Sequence, residues 1–130
     1  MDVGRLKQLP LFSSVSEEDL KSISPFVKEV SVGEGAILVK EGDYSYELIA
    51  IEEGTADVLR DGEKIASLGP GDYFGEMGVV ERDKRTADVV ATSPMRLVSL
   101  TTWEIKRMQR SMPQAVDELR KTIEERSQPS

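Results

Sequence analysis

The chain has 130 residues, of which 38% are apolar and 32% charged, the composition of one soluble globular domain. It contains neither cysteine nor histidine, which excludes disulfides, thiolate metal sites and imidazole as a ligand or general base. Its formal net charge of -7 makes the average surface repel polyanions, so we expect no direct DNA binding. A small anion can still be held by local donors, because surface charges are screened beyond about 10 Å.

The amino-terminal residues carry no targeting signal that we recognise. Residues 1–7 lack the apolar core and the small-residue cleavage site of a secretory signal. No apolar run is long enough to span a bilayer. The expectation is a cytoplasmic protein that does not enter a membrane.

The first 26 residues have a helical pattern. Leu6 begins an apolar periodicity that Pro10 interrupts, and residues 16–19 then read Ser-Glu-Glu-Asp, which resembles a capping box. Pro25 is expected to end this second helix. We therefore predict N-terminal helices over residues 1–26.

Residues 27–101 show short apolar runs separated by turn residues, the pattern of a roll or barrel of small strands. Asp61-Gly62 is the clearest hairpin signal, and the apolar positions before and after it are expected to alternate inward. Residues 89–91 and 95–100 are predicted as the closing strands. The fold class predicted is mainly β: an antiparallel β-roll, similar to a jelly roll or double-stranded β-helix, with helices at both ends.

Residues 102–127 return to helical spacing. Pro113 is well placed to start a last helix. An apolar stripe on that helix predicts a core face, a seam for a homodimer, or a lid over a ligand. The core-facing positions predicted for the two helices are Trp103, Ile105, Met108, Met112, Val116, Leu119 and Ile123.

Residues 74–87 interrupt the strands and have the properties of an anion-binding segment. Gly75 allows close approach of the backbone, and a helical turn over residues 76–80 would leave its first N–H groups free for a phosphate. Arg85 supplies a fixed charge and a planar donor fork. Glu76, which only accepts hydrogen bonds when ionised, suits a hydroxyl group.

The sequence Phe-Gly-Glu-x-Gly-Val followed by Arg-Thr-Ala resembles the phosphate-binding cassette of the cyclic nucleotide-binding domain family. The resemblance extends from about Leu6 to Ile123 and includes residues 9–12, 33–43 and 69–72. It implies one domain over residues 1–130 that senses a cyclic nucleotide without catalysis, metal or cofactor.

The resemblance also implies a role for each residue of the motif. Glu76 would contact the ribose 2′-OH and Arg85 the cyclic phosphate. The remaining ligand-binding residues would be Gly75, Met77 and Gly78 in the backbone cradle, with Thr86 and Ala87 closing the motif; Leu119 and Ile123 would cover the base. Gly78 and Val79 stand where alanine and leucine are common in the family, and both changes keep the backbone donors.

The identity of the base stays open at this point. Thr86 offers a hydroxyl that suits guanine in some family members, yet members that respond to cAMP also carry one. We favour cAMP over cGMP, because one hydroxyl contributes only about 0.5–1.5 kcal/mol.

Two other functions are weighed against the sensor. A cupin-like enzyme would need histidine ligands, which this chain lacks. A degenerate roll that only binds other proteins would keep the fold with an empty cassette. The chain ends before any helix-turn-helix, so the sensor is expected to act on a fused or separate effector.

Overall fold

The computed structural model describes residues 1–40, 47–75 and 87–127, with the backbone alone for Thr102 and residues 123–127. These residues form eight β-strands and four α-helices, with two short 3-10 turns at Pro10–Phe12 and Ser24–Phe26. The helices are α1 (Val3–Gln8), α2 (Glu17–Ile23), α3 (Thr102–Ser111) and α4 (Pro113–Ser127). The strands are β1 (Lys28–Val32), β2 (Ile37–Val39), β3 (Glu47–Glu53), β4 (Ala56–Arg60), β5 (Glu63–Leu68), β6 (Tyr73–Gly75), β7 (Asp88–Ala91) and β8 (Met95–Thr101).

The helix ends follow from local side-chain chemistry. The Ser16 hydroxyl accepts a hydrogen bond from the Asp19 backbone N–H at 3.1 Å, so the predicted cap of α2 is confirmed. Asp2 caps α1 in the same way, and Pro113 begins α4 as predicted. Within the described ranges, none of the helices combines the length and the apolar character needed to cross a membrane.

The strands form two four-stranded antiparallel sheets. The first has the order β1-β8-β3-β6 and the second the order β2-β7-β4-β5. Non-consecutive strands are neighbours in both sheets, so the chain crosses repeatedly from one sheet to the other. The predicted fold class, an antiparallel β-roll with flanking helices, is confirmed.

The hairpin between β4 and β5 confirms one prediction and corrects another. Asp61 and Gly62 both have positive φ, 53° and 81°, as a two-residue type I′ turn requires. Ala56 is buried on β4, as expected. On β5, however, Ile65 is 49% exposed, so the prediction that the apolar positions after the turn point inward is wrong there. β5 is an edge strand, and its burial pattern shows no covered face.

Two hydrophobic cores lie on opposite sides of the first sheet. Alternate residues of β3 point to different cores: Leu48 and Ala50 pack with the helices, whereas Ile49 and Ile51 pack between the sheets. β8 is divided in the same manner, with Val98 and Leu100 towards the helices and Met95 and Leu97 between the sheets. Burial on both faces explains the unbroken apolar run at residues 48–51 of β3 and the largely apolar sequence of β8.

The C-terminal helices bury most of the predicted face. Ile105 and Met108 of α3 and Val116 and Leu119 of α4 are completely buried in the core beside the helices. Trp103 is 66% exposed, so its predicted core position is wrong. It precedes Ile105 by two residues, which at about 100° per residue places it on the opposite side of α3.

Candidate functional site

The structure shows how the two ends of the candidate anion-binding segment are held. On the N-terminal side, Phe74 packs against the core between the sheets, and Gly75 lies opposite Leu48 of β3 in the first sheet. On the C-terminal side, Asp88 begins β7 and lies opposite Leu59 of β4 in the second sheet. The two ends of the segment therefore lie in different sheets.

Of the ligand-binding residues predicted in the cassette, the structure describes only Gly75 and Ala87. Gly75 is the last residue of β6, and Ala87 is partly buried immediately before β7. Five other predicted residues lie outside the described residues, and their roles stay predictions: Glu76, Met77, Gly78, Arg85 and Thr86. Residues 41–43, the end of the 33–43 stretch of the family resemblance, also lie outside them.

One polar residue near the start of this segment was missed by sequence reasoning. Ser99 is only 5% exposed and is the buried polar residue of the described ranges. It lies opposite Ile49, which in turn lies opposite Phe74, so the three form one row across the first sheet. By alternation with Leu97, Ser99 is on the side that faces the second sheet. The available signal was a lone serine in the apolar run of β8.

The two residues predicted as a base lid belong to α4. Leu119 is completely buried in the core beside the helices, and Ile123 lies one turn further along, with its side chain outside the described part. The Tyr73 hydroxyl of β6 donates to the Thr122 carbonyl at 3.1 Å, and the hydroxyls of Ser14 and Thr122 are 3.0 Å apart. Leu119 can contact a ligand only if α4 moves. Its role as a lid, like a homodimer through α4, stays a prediction.

An ion-pair cluster joins α1 to the first sheet. Arg5 donates to both carboxylate oxygens of Glu52, from Nε at 2.8 Å and from Nη2 at 2.5 Å, and its Nη2 lies 2.8 Å from Glu29 Oε1. The hydrogen bonds and charge of Arg5 lower the pKa of the Glu52 carboxyl, and partial burial opposes this shift. Glu29 and Glu52 are distant from Arg5 in the sequence, and no local sequence pattern predicted these contacts.

A concave surface of about 330 Å³ adjoins this cluster and differs from the predicted nucleotide site. It is lined by Arg5, Gln8, Leu9, Pro10, Glu52, Pro70 and Gly71. Because the guanidinium of Arg5 is already bound to two carboxylates, it is not available to a phosphate.

The sequence profile described as "Cyclic nucleotide-binding domain" matches residues 29–111, well over half of the chain and the whole of the candidate segment. The chain belongs to the cyclic nucleotide-binding domain family. The interpretation of residues 74–87 as the phosphate-binding cassette of that family therefore rests on a match that extends far beyond the motif.

Two relatives are similar to this cyclic nucleotide-binding domain over a part of their own length. It is 34% identical over 90 residues to a cAMP-dependent protein kinase regulatory subunit of Yarrowia lipolytica, which covers 69% of this chain and 24% of that protein. It is 29% identical over 99 residues to the cGMP-dependent protein kinase isozyme 1 of Drosophila melanogaster, covering 71% of this chain and 13% of the kinase. The chain thus spans about a quarter or less of these relatives.

Solved structures extend the likeness of the domain to its helices. The N-terminal domain of a transcriptional regulator from Streptomyces coelicolor A3(2) is 26% identical, with a TM-score of 0.80 over 96% of this chain and 90% of that one. The profile match stops short of α1, α2 and α4, whereas this structural match includes nearly the whole chain. The helices on both sides of the roll are thus shared with that relative.

Proposed function

We propose that this domain binds a cyclic nucleotide through residues 74–87, with Arg85 neutralising the cyclic phosphate and Glu76 accepting a hydrogen bond from the ribose 2′-OH. The observation that carries the proposal is the cassette motif inside the family match, with its two ends anchored on different sheets. A guanidinium presents two parallel donors to the free oxygens of a phosphodiester. The backbone N–H groups of Gly75, Met77 and Gly78 would complete the anion site.

We propose cAMP as the preferred ligand. Several matching relatives are named for cAMP, at 27–34% identity, and one is named for cGMP, at 29% identity. A hydrogen bond from the Thr86 hydroxyl would add at most about 0.5–1.5 kcal/mol to the binding free energy of cGMP. This corresponds to a factor of about ten or less in affinity. We therefore expect the two nucleotides to compete, with cAMP binding more tightly.

The role we propose for the domain is regulatory rather than catalytic. Sequence similarity to the regulatory subunit of a kinase supports this role. Ligand binding would change the packing of α3 and α4 and thereby the state of a fused or separate effector in the cytoplasm. A ligand shifts such an equilibrium only by its difference in affinity for the two states.

Calorimetric titration of the purified chain with cAMP and cGMP tests the proposal. Truncating one partner of a buried charge pair costs about 2–5 kcal/mol, so Arg85→Ala should lower cAMP affinity by about 30-fold or more. The matched control is Arg110→Ala, which removes an exposed arginine of α3 and should leave binding unchanged.

Two results would contradict the proposal. Equal affinities of the wild type and Arg85→Ala would remove the phosphate role of that residue. A wild-type chain that is folded by circular dichroism and binds neither nucleotide would instead be the degenerate interaction module.

A further inference from the structure

The outer side of α3 carries an exposed tryptophan and three cations. Ile105 and Met108 occupy the buried side of this helix. The exposed side contains Trp103, Lys106, Arg107 and Arg110, which we call the α3 basic face. Spacings of three or four residues place these side chains on neighbouring turns.

Two of these cations lie over aromatic rings. Lys106 Nζ is 5.3 Å from the centre of the Trp103 ring, and Arg107 Cζ is 5.7 Å from the centre of the Phe26 ring. Both distances are within the range of a cation–π interaction. The rings restrict the two charged groups without neutralising them, so less side-chain entropy is lost when a partner binds.

The cations of the α3 basic face lie outside the ion pairs formed among the described residues. Among residues 1–40, 47–75 and 87–127, the ion pairs found do not include Lys106, Arg107 or Arg110. Glu104, the acidic residue of α3, accepts a hydrogen bond from the Thr101 hydroxyl at 2.9 Å and is partly buried. The face is therefore a local positive surface on a chain of net charge -7.

We propose that the α3 basic face docks an acidic helical segment of a partner protein. Charge complementarity selects the occupant, and tryptophan and arginine are the side chains that contribute most to protein interfaces. Two copies of the chain cannot pair α3 to α3, because like charges would meet. Extended polyanions are disfavoured by the net negative charge of the rest of the surface. This inference does not depend on nucleotide binding.

Trp103 makes the test direct, since it is the single tryptophan of the chain. The probe is a synthetic alanine- and leucine-rich peptide of about 20 residues, long enough to form a helix in water, with glutamates along one face. Docking should shift the Trp103 emission to shorter wavelength. The same peptide with glutamine in place of glutamate should produce no shift.

Charge reversal supplies the matched comparison, and it keeps the fluorescent reporter. Lys106→Glu combined with Arg110→Glu should weaken binding of the acidic peptide on the order of tenfold or more. The control combines Lys21→Glu with Lys121→Glu, which changes the net charge by the same amount at exposed sites on α2 and α4. This control should change the affinity for the acidic peptide by no more than a factor of about two. Both double variants should bind cAMP as the wild type does, which separates this surface from the cassette.

Four outcomes would overturn the assignment. The first is an emission spectrum that the acidic peptide leaves unchanged, and the second is an equal loss in both double variants. The third is a stronger response to phosphatidylserine vesicles or to single-stranded DNA than to the peptide, which would make the partner another class of polyanion. The fourth is self-association that Lys106→Glu with Arg110→Glu abolishes, which would make the occupant a second copy of this chain.

Discussion

Gly54 shows how one residue joins two strands that are distant in sequence. It connects β3 to β4 with a φ of +95°, a conformation that favours glycine. A Cβ at this position would overlap the Pro94 carbonyl oxygen and lie 2.7 Å from Met95 Cγ. The sequence indicates a turn here, whereas the close approach of the segment before β8 depends on the tertiary fold.

Gly54→Ala should therefore destabilise the domain for two reasons. The left-handed backbone costs about 1–2 kcal/mol for a residue with a Cβ, and overpacking adds about 1–3 kcal/mol. Two matched glycines separate the effects: Gly35 has a φ of +88° with nothing within 4 Å of a built Cβ, and Gly33 also has open space without the positive φ. In urea denaturation, the loss in the free energy of unfolding should be largest for Gly54→Ala, smaller for Gly35→Ala and smallest for Gly33→Ala. Equal losses for Gly54→Ala and Gly33→Ala would contradict this explanation.

Single-residue features were predictable from the sequence where they depend on neighbouring residues in the chain. The Ser16 cap and the Asp61-Gly62 turn depend on a few consecutive residues, and both are confirmed. Sequence reasoning failed for Trp103, because spacing alone did not show which side of α3 faces the core. It also missed Ser99, since the burial of a single hydroxyl depends on which strands become neighbours.

At the scale of elements, the contact between α1 and β3 depends on charge. Glu52 accepts two hydrogen bonds from Arg5, and its pKa lies below the ordinary 4.5 in the folded state. A carboxyl with a lowered pKa adds stability above its ordinary pKa, and the contribution is lost as pH falls through the folded-state value. The attachment of α1 should therefore weaken in acid.

Glu52→Gln should lower the free energy of unfolding near neutral pH, and the difference from the wild type should shrink as the pH falls below 4.5. Thermal denaturation over a range of pH measures this difference. The control, Glu63→Gln, alters an exposed carboxylate on β5 outside the ion-pair cluster and should change the free energy of unfolding near neutral pH by less than about 0.5 kcal/mol. A Glu52→Gln deficit that does not change with pH would remove the ionic explanation.

Element positions were largely predictable, but their surroundings were not. The closing strands predicted at 89–91 and 95–100 correspond to β7 and β8. Periodicity could not indicate that β8 is buried on both faces, or that β5 is an uncovered edge, because both depend on strand order. The exposed Ile65 is a consequence of that order.

For the whole molecule, the two cores share β3 and β8, so damage to one core should affect the other. Leu119→Ala removes a completely buried side chain beside the helices and should cost about 2–5 kcal/mol. Unfolding should remain one cooperative transition, with circular dichroism and Trp103 fluorescence changing together in urea. Lys121→Ala, on the exposed side of α4, should change stability by less than about 0.5 kcal/mol. Separate transitions for the two signals would show that the helices unfold independently of the roll.

The family and the architecture were predictable from the sequence. The cassette motif predicts the family, and the turn residues predict the arrangement of short strands. Glycine positions, the Phe-Gly-Glu segment and the Arg-Thr-Ala segment are short-range features, and the profile match over residues 29–111 confirms the family. The anchoring of the segment on two sheets was not predictable, because sequence spacing does not reveal which sheet a short strand joins. Roles of Glu76 and Arg85 stay predictions.

The double burial of β3 and β8 determines which backbone amides are best protected from solvent. Their N–H groups lie in central strands covered on both faces, so isotope exchange there requires opening of the entire domain. β5 lies at a sheet edge without a covered face, and its outward amides can exchange through local fraying. Among the described strands, we therefore expect the slowest amide exchange in the two-stranded ribbon of β3 and β8 and faster exchange in the edge strand β5.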